Sequence, residues 1–150
     1  MKSTSTTKLK NTVVFDIKFR VAYVDTDAMA VMHHGRYFRY LERARVEWLR
    51  SLGIVYSDLE KQDLCLPLVS AQIDYVKPLR FDQEFTVKLL LPELTKIKMT
   101  LLYEIWSEGV LSGKASTKHV LCRREGADEL SVQRIPKEWR DIWLQLKEKK

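Results

Sequence analysis

A chain of 150 residues, 45% hydrophobic and 31% charged, has the composition of one soluble globular domain with length enough for one core. No run approaches the ~20 consecutive apolar residues that span a bilayer, which excludes a helical membrane span and integral membrane association. The formal charge of +6 invites a nucleic-acid reading, but residues 21–122 hold thirteen charges of each sign and the excess lies in residues 1–20 and 123–150. A nucleic-acid domain would carry its basic face within the folded body, so the excess suits solubility or a weak pull on anionic partners.

The N-terminus, MKSTSTTKLKN, is polar and lacks the apolar segment of a secretory signal. Residues 1–12 are therefore expected to be a disordered lead-in, residues 13–150 one domain, and the location cytoplasmic. From Phe15 to Tyr23 every odd position is apolar, with Asp16, Lys18 and Arg20 between. Period two predicts a strand with one wet face. A helix is expected from Arg36 to Leu52, where Tyr37, Leu41, Ala44, Trp48 and Leu52 recur at steps of three and four and Gly53 supplies the stop. It would run ~25 Å, with Glu42–Arg45 and Glu47–Arg50 or Glu47–Arg43 spaced for surface ion pairs.

Four further strands are expected: Leu68–Val76, Phe85–Leu91, Ile97–Trp106 and Ala115–Cys122. The links at Lys77-Pro78, Pro92-Glu93 and Glu108-Gly109 through Ser112-Gly113 are short, which favours antiparallel neighbours over crossover helices. A shorter helix is expected after Pro136, a residue suited to a first helical position. Cys65 and Cys122 have no metal-binding spacing and read as reduced thiols, with no disulfide required. The predicted class is α+β, a single domain in which the long helix packs on one face of a five-stranded antiparallel sheet, with a short C-terminal helix. Its edge strands invite pairing between copies.

The chemistry concentrates between Tyr23 and Arg45, in YVDTDAMAVMHHGRYFRYLERAR. Asp25 and Asp27 suit a turn or cap, or a carboxylate acting as nucleophile or general base. His33 and His34 are adjacent and point differently, so at most one faces a pocket. No HxxxH spacing or third distant ligand accompanies them, which disfavours a metal site. His119 stands alone in a late strand and reads as a packed sheet residue. The start of the long helix leaves N–H groups unpaired, and Gly35 admits close approach to that backbone. Donors near His34 and Gly35 would hold an oxyanion, where removal of one donor typically costs ~3 kcal/mol. There is no GxSxG elbow, phosphate loop or dinucleotide fingerprint. Met29 and Met32 suit an apolar pocket or the core equally.

Tyr23, Asp25, Thr26, Asp27, Val31, His33, His34, Tyr37, Glu42, Ala44 and Arg45 together resemble the signature of the 4-hydroxybenzoyl-CoA thioesterase-like branch of the hotdog fold, a group of small bacterial acyl-CoA thioesterases. The likeness runs from about Phe15 to Pro136. The resemblance implies a long helix wrapped by an antiparallel sheet, homodimers or homotetramers with sites near the dimer interface, and no metal or redox cofactor. By position it makes Asp27 the catalytic carboxylate, nucleophile or base, and His34 the motif histidine that orients the thioester or a water. His33 and Gly35 would serve the oxyanion and substrate, with Asp25 and Tyr37 supporting. Lys96 and Lys98 are candidates for CoA phosphates, or solvated strand-end lysines. Ala30 departs from the pattern, which commonly has glycine there. A left-handed backbone at that point would strain an alanine by ~1 kcal/mol or more.

The function implied is hydrolysis of an acyl-CoA, or an acyl-carrier-protein thioester, to acid and thiol. Two other classes are a non-catalytic acyl-CoA-binding hotdog protein and a hotdog enoyl-CoA hydratase or dehydratase.

Overall fold

Alternating apolar and polar residues form the first strand, β1 (Val13–Arg20). The computed structural model describes residues 12–90 and 92–148, so the expected lead-in, Thr12 apart, lies outside the described residues, as does Leu91. β1 stops short of the expected Tyr23. The backbone bends into a 3-10 turn, Tyr23–Asp25, closed by the Asp25 and Thr26 N–H groups on the carbonyls of Ala22 and Tyr23. Tyr23 thereby leaves the core face and is 78% exposed.

After a second 3-10 turn, His34–Arg36, comes the long helix α1 (Tyr37–Ser51). Its stripe of Tyr37, Tyr40, Leu41, Ala44, Trp48 and Leu49 is buried, each large side chain contributing ~2 kcal/mol of apolar burial. The helix ends as expected. Gly53 takes φ +84° while the Gly53 and Ile54 N–H groups close on the carbonyls of Arg50 and Leu49, a paired closure that needs the left-handed residue. Glu47 and Arg50 meet at 3.6 Å. Arg45 does not take the expected surface partner: it turns inward and donates to the Tyr56 hydroxyl at 3.2 Å.

The chain continues through α2 (Tyr56–Lys61), β2 (Leu64–Cys65), β3 (Leu68–Tyr75), β4 (Glu84–Leu90), β5 (Glu93–Leu94), β6 (Lys98–Ser107), β7 (Val110–Val120), β8 (Cys122–Arg124), β9 (Leu130–Val132) and α3 (Lys137–Glu148). The five long strands form an antiparallel sheet in the order β1-β4-β6-β7-β3, with the short β5 added against β6. β6 shows how the core is built: Met99, Leu101, Tyr103 and Ile105 alternate inward beneath α1, whereas Ile97 precedes the strand and is 44% exposed. Tyr40 packs edge-on against Phe19 and Phe85, with ring centroids 5.3 and 5.1 Å apart.

Three features differ from expectation. The β6–β7 turn is only Glu108-Gly109, both at positive φ, so Ser112 and Gly113 lie inside β7. Positive φ at both central residues matches the right-handed twist of the strands. The segment from Val76 to Gln83 is no hairpin, because β3 lies at one edge while β4 lies between β1 and β6; it carries the chain over the end of the sheet. A second small sheet, β2-β8-β9, flanks the main one. α3 starts just after Pro136, whose carbonyl accepts from the Trp139 and Arg140 N–H groups, and Trp143 lies edge-on to Trp48 at 5.8 Å.

Candidate active site

Asp25 to His33 forms a narrow two-stranded ribbon. His33 N–H donates to the Asp25 carbonyl and Asp27 N–H to the Val31 carbonyl, both at 2.9 Å, with Thr26 opposite Met32. At the tip, Ala30 N–H donates to the Asp27 carbonyl at 3.0 Å, and Ala30 takes φ +60°. This is the left-handed conformation that glycine adopts without a Cβ penalty. The Val76–Gln83 segment flanks the ribbon: Met32 N–H donates to the Leu79 carbonyl at 2.7 Å, Val31 bridges to Arg80, and Leu79 is fully buried.

The two aspartates part company. Asp25 is 1% exposed and accepts from the Tyr40 hydroxyl at 2.6 Å and from Arg39 at 3.4 Å, with Arg36 at 4.0 Å. A buried carboxylate must be paired in this way to be tolerated. It therefore ties the ribbon to the start of α1. Burial, then the bond to Asp25, raises the Tyr40 phenol above its ordinary value. Asp27 is exposed, and one of its carboxylate oxygens accepts from the Met29 N–H at 2.8 Å. The pair shares no pocket.

At the helix start, His33 Nδ1 accepts from the Gly35 N–H at 3.1 Å. One of the two expected oxyanion donors is thus engaged by the neighbouring imidazole. Among the described residues no acceptor faces the His34 N–H. The rings of His33 and His34 lie 4.0 Å apart, both exposed. Tyr75, which sequence reasoning did not single out, donates from its hydroxyl to the His34 carbonyl at 2.6 Å and sets its ring edge-on to Tyr37 at 5.1 Å. Burial raises the Tyr37 phenol, opposed by a hydrogen bond with the Leu79 backbone. No local pattern marks Tyr75, because it reaches the motif only through the path of β3 along the sheet edge.

Exposed apolar residues lie on the ribbon and beside it: Tyr23, Val24, Met29 and Phe81, with the Phe81 N–H on the Ala30 carbonyl at 3.4 Å and Tyr23 edge-on to Phe81 at 5.5 Å. Such a cluster marks a surface for an apolar ligand or partner. Lys96 and Lys98 are not brought to it. They sit at the beginning of β6, and the site lies past its far end, ~30 Å away along a ten-residue strand. A cavity of about 600 Å³ opens elsewhere, between Glu42, Tyr56, Cys65, Leu66 and Arg124. His119 is fully buried, packed as expected, with Nε2 2.9 Å from the Thr117 hydroxyl, which lies 2.8 Å from the Tyr103 hydroxyl. Among the described residues no group of three His, Cys, Asp or Glu side chains is placed to hold a metal ion.

The profile of the Thioesterase-like superfamily matches residues 21–142. The acyl-CoA thioesterase YbgC of Haemophilus influenzae is 33% identical over 137 residues, 89% of this chain and 96% of that protein. A hypothetical protein from Aquifex aeolicus has a solved structure that superposes with a TM-score of 0.79 at 38% identity, covering 86% of this chain and 98% of that one. A gentisyl-coenzyme A thioesterase superposes with a TM-score of 0.77 at 25% identity, covering 84% and 99%. Each likeness spans most of the chain rather than the motif alone.

Proposed function

The chain belongs to the thioesterase-like superfamily, as a thioester hydrolase of the hotdog fold, and from that premise we propose that its substrate is an acyl-CoA cleaved at Asp27. The observation that carries the assignment is the exposed Asp27 carboxylate at the tip of a ribbon whose other end is the start of α1. One carboxylate oxygen is held by the Met29 N–H, which leaves the other to take a proton from water. The water oxygen attacks the thioester carbonyl carbon, and negative charge develops on the carbonyl oxygen. The His34 N–H, at the positive end of the helix, is the donor for that charge. The Gly35 N–H joins it once substrate displaces the His33 ring. The bond to sulfur then breaks, and the proton held on Asp27 passes to the leaving thiolate, which releases acid and thiol and restores the carboxylate. Hydration of the exposed carboxylate favours activation of water over direct attack by Asp27. The apolar cluster from Tyr23 to Phe81 faces the acyl group.

The second copy completes this reading. β3 is an edge strand, exposed along almost its whole length, with Leu68, Val69 and Tyr75 about half exposed. Antiparallel pairing of two β3 strands about a twofold axis would cover those residues. It would also bring the Lys98 end of one chain toward the Asp27 end of the other, the arrangement in which Lys96 and Lys98 meet CoA phosphates.

Free-CoA release across short, long and aromatic acyl-CoAs tests the proposal, with Asp27→Asn beside the parent protein. We expect release by the parent and a loss of roughly 100-fold or more in the folded variant. Equal rates remove Asp27 from the mechanism. Bound ester without release supports the binding-protein alternative, and a change in enoyl-CoA absorbance without thiol supports a hydratase. Preference for an acyl-carrier-protein thioester over CoA would reassign the carrier.

A further inference from the structure

Cys65 and Cys122, 57 residues apart, face each other directly. Their strands, β2 and β8, pair antiparallel with Cys65 opposite Cys122 and Leu64 opposite Arg123. Alternation along the ladder fixes the kind of pair. Arg124 N–H donates to the Asp63 carbonyl, and four pairs along, Val120 N–H donates to the Pro67 carbonyl. The cysteines therefore occupy the hydrogen-bonded site midway between, where opposed Cα atoms lie ~5.5 Å apart. Disulfides form across roughly 4.4–6.8 Å between Cα atoms, and opposed residues project to the same side of the ribbon. The Cys65 sulfur already reaches to 3.7 Å from the Cys122 carbonyl. Both are free thiols.

Their access differs. Cys65 is half-buried and lines the cavity of about 600 Å³. Cys122 is 4% exposed. Burial and the neighbouring sulfur raise its thiol above the ordinary range, which keeps it slow to react with a reagent from solution.

We propose that Cys65 and Cys122 form a reversible dithiol that small-molecule disulfides, entering through this cavity, close to a cross-strand disulfide. The Cys65 thiolate attacks one sulfur of the oxidant, forming a mixed disulfide and expelling one small thiolate. Cys122 then gives its proton to water, and its thiolate attacks the Cys65 sulfur, expelling the second. Two protein thiols lose two protons and two electrons, and one small disulfide is reduced to two thiols. Closure draws the Cβ atoms from ~5 Å to ~3.8 Å, which leaves the link open to reduction by the reverse exchange.

The test exposes the folded protein to oxidised glutathione and reads intact mass and peptide map without reductant. The parent protein is expected to lose two hydrogens, retain no glutathione and yield one Cys65–Cys122 peptide that dithiothreitol removes. Cys122→Ser should hold one glutathione on Cys65, and Cys65→Ser should stay unmodified over the same time. Glutathione retained on both cysteines of the parent, cross-links between chains, or no reaction overturns the proposal. The parent result decides even where a serine variant fails to fold.

Discussion

Ala30 stands at φ +60° at the tip of the ribbon, a backbone state that costs an alanine ~1–2 kcal/mol. Ala30→Gly removes that strain and adds ~0.5–1 kcal/mol of unfolded-chain entropy. We expect a net gain of ~0.5 kcal/mol, read as a rise of about 1–2 °C in Tm by calorimetry. A fall would show that the alanine methyl makes contacts worth more than the strain. His119 sets a second residue-scale effect. Burial, helped by the nearby Arg45 charge, holds its imidazole down at about 4, against ~6.5 in an unfolded chain. Between these values the unfolded chain binds the extra proton, so stability falls as pH drops from ~6.5 to about 4. The whole loss is on the order of 3 kcal/mol. His119→Asn should flatten that part of the Tm–pH curve relative to the parent protein; parallel curves would place the imidazole in contact with water.

Elements were legible in the sequence where they carry their own signal. α1 repeats its apolar stripe over four turns and ends at a glycine, so both its face and its stop could be read. β1, β4 and β6 alternate cleanly, and only their ends moved. α2 has six residues, and β2, β8 and β9 have two or three, too few for any period to show. The Lys77-Pro78 link reads as joining antiparallel neighbours, which β3 and β4 are not, because turn residues report a local bend and not where the next strand docks. The candidate site divides along the same line. His34 and Gly35 directly precede the helix start and could be named as donors from it, whereas Asp27 is singled out from Asp25 only by the resemblance of the motif. The burial of Asp25 against Tyr40, the His33 ring on the Gly35 N–H, and the Tyr75 bond to His34 depend on packing between distant segments.

At the scale of the molecule, one exposed edge dominates. The other long edge, β1, is half-buried along much of its length and carries Lys18 and Arg20 near its end, charges that discourage pairing. β3 carries no Lys or Arg and a single charge, the exposed Asp74 near its end. The Val76 N–H donates to the Ser112 carbonyl, so in this register the even-numbered residues of β3 bond β7 and Ala71 turns its N–H to the open edge. Ala71→Pro should therefore disrupt an intermolecular ladder while sparing the β3–β7 one, and give monomers by light scattering if β3 pairs with a second β3. An unchanged mass, with the fold intact, would move the contact elsewhere.

The passage of Val76–Gln83 over the end of the sheet also orders events in time. β6 and β7 are joined by two residues and can zip from their turn, but β3 reaches β7 only after ~40 intervening residues have found their places, a slower closure. The ribbon rests on Leu79 and Arg80 of that same segment, so catalytic competence should be among the last properties a refolding chain acquires. Stopped-flow refolding from urea is expected to show far-UV ellipticity recovering ahead of CoA-releasing activity. Simultaneous recovery would mean that the crossing segment is in place when the sheet first forms.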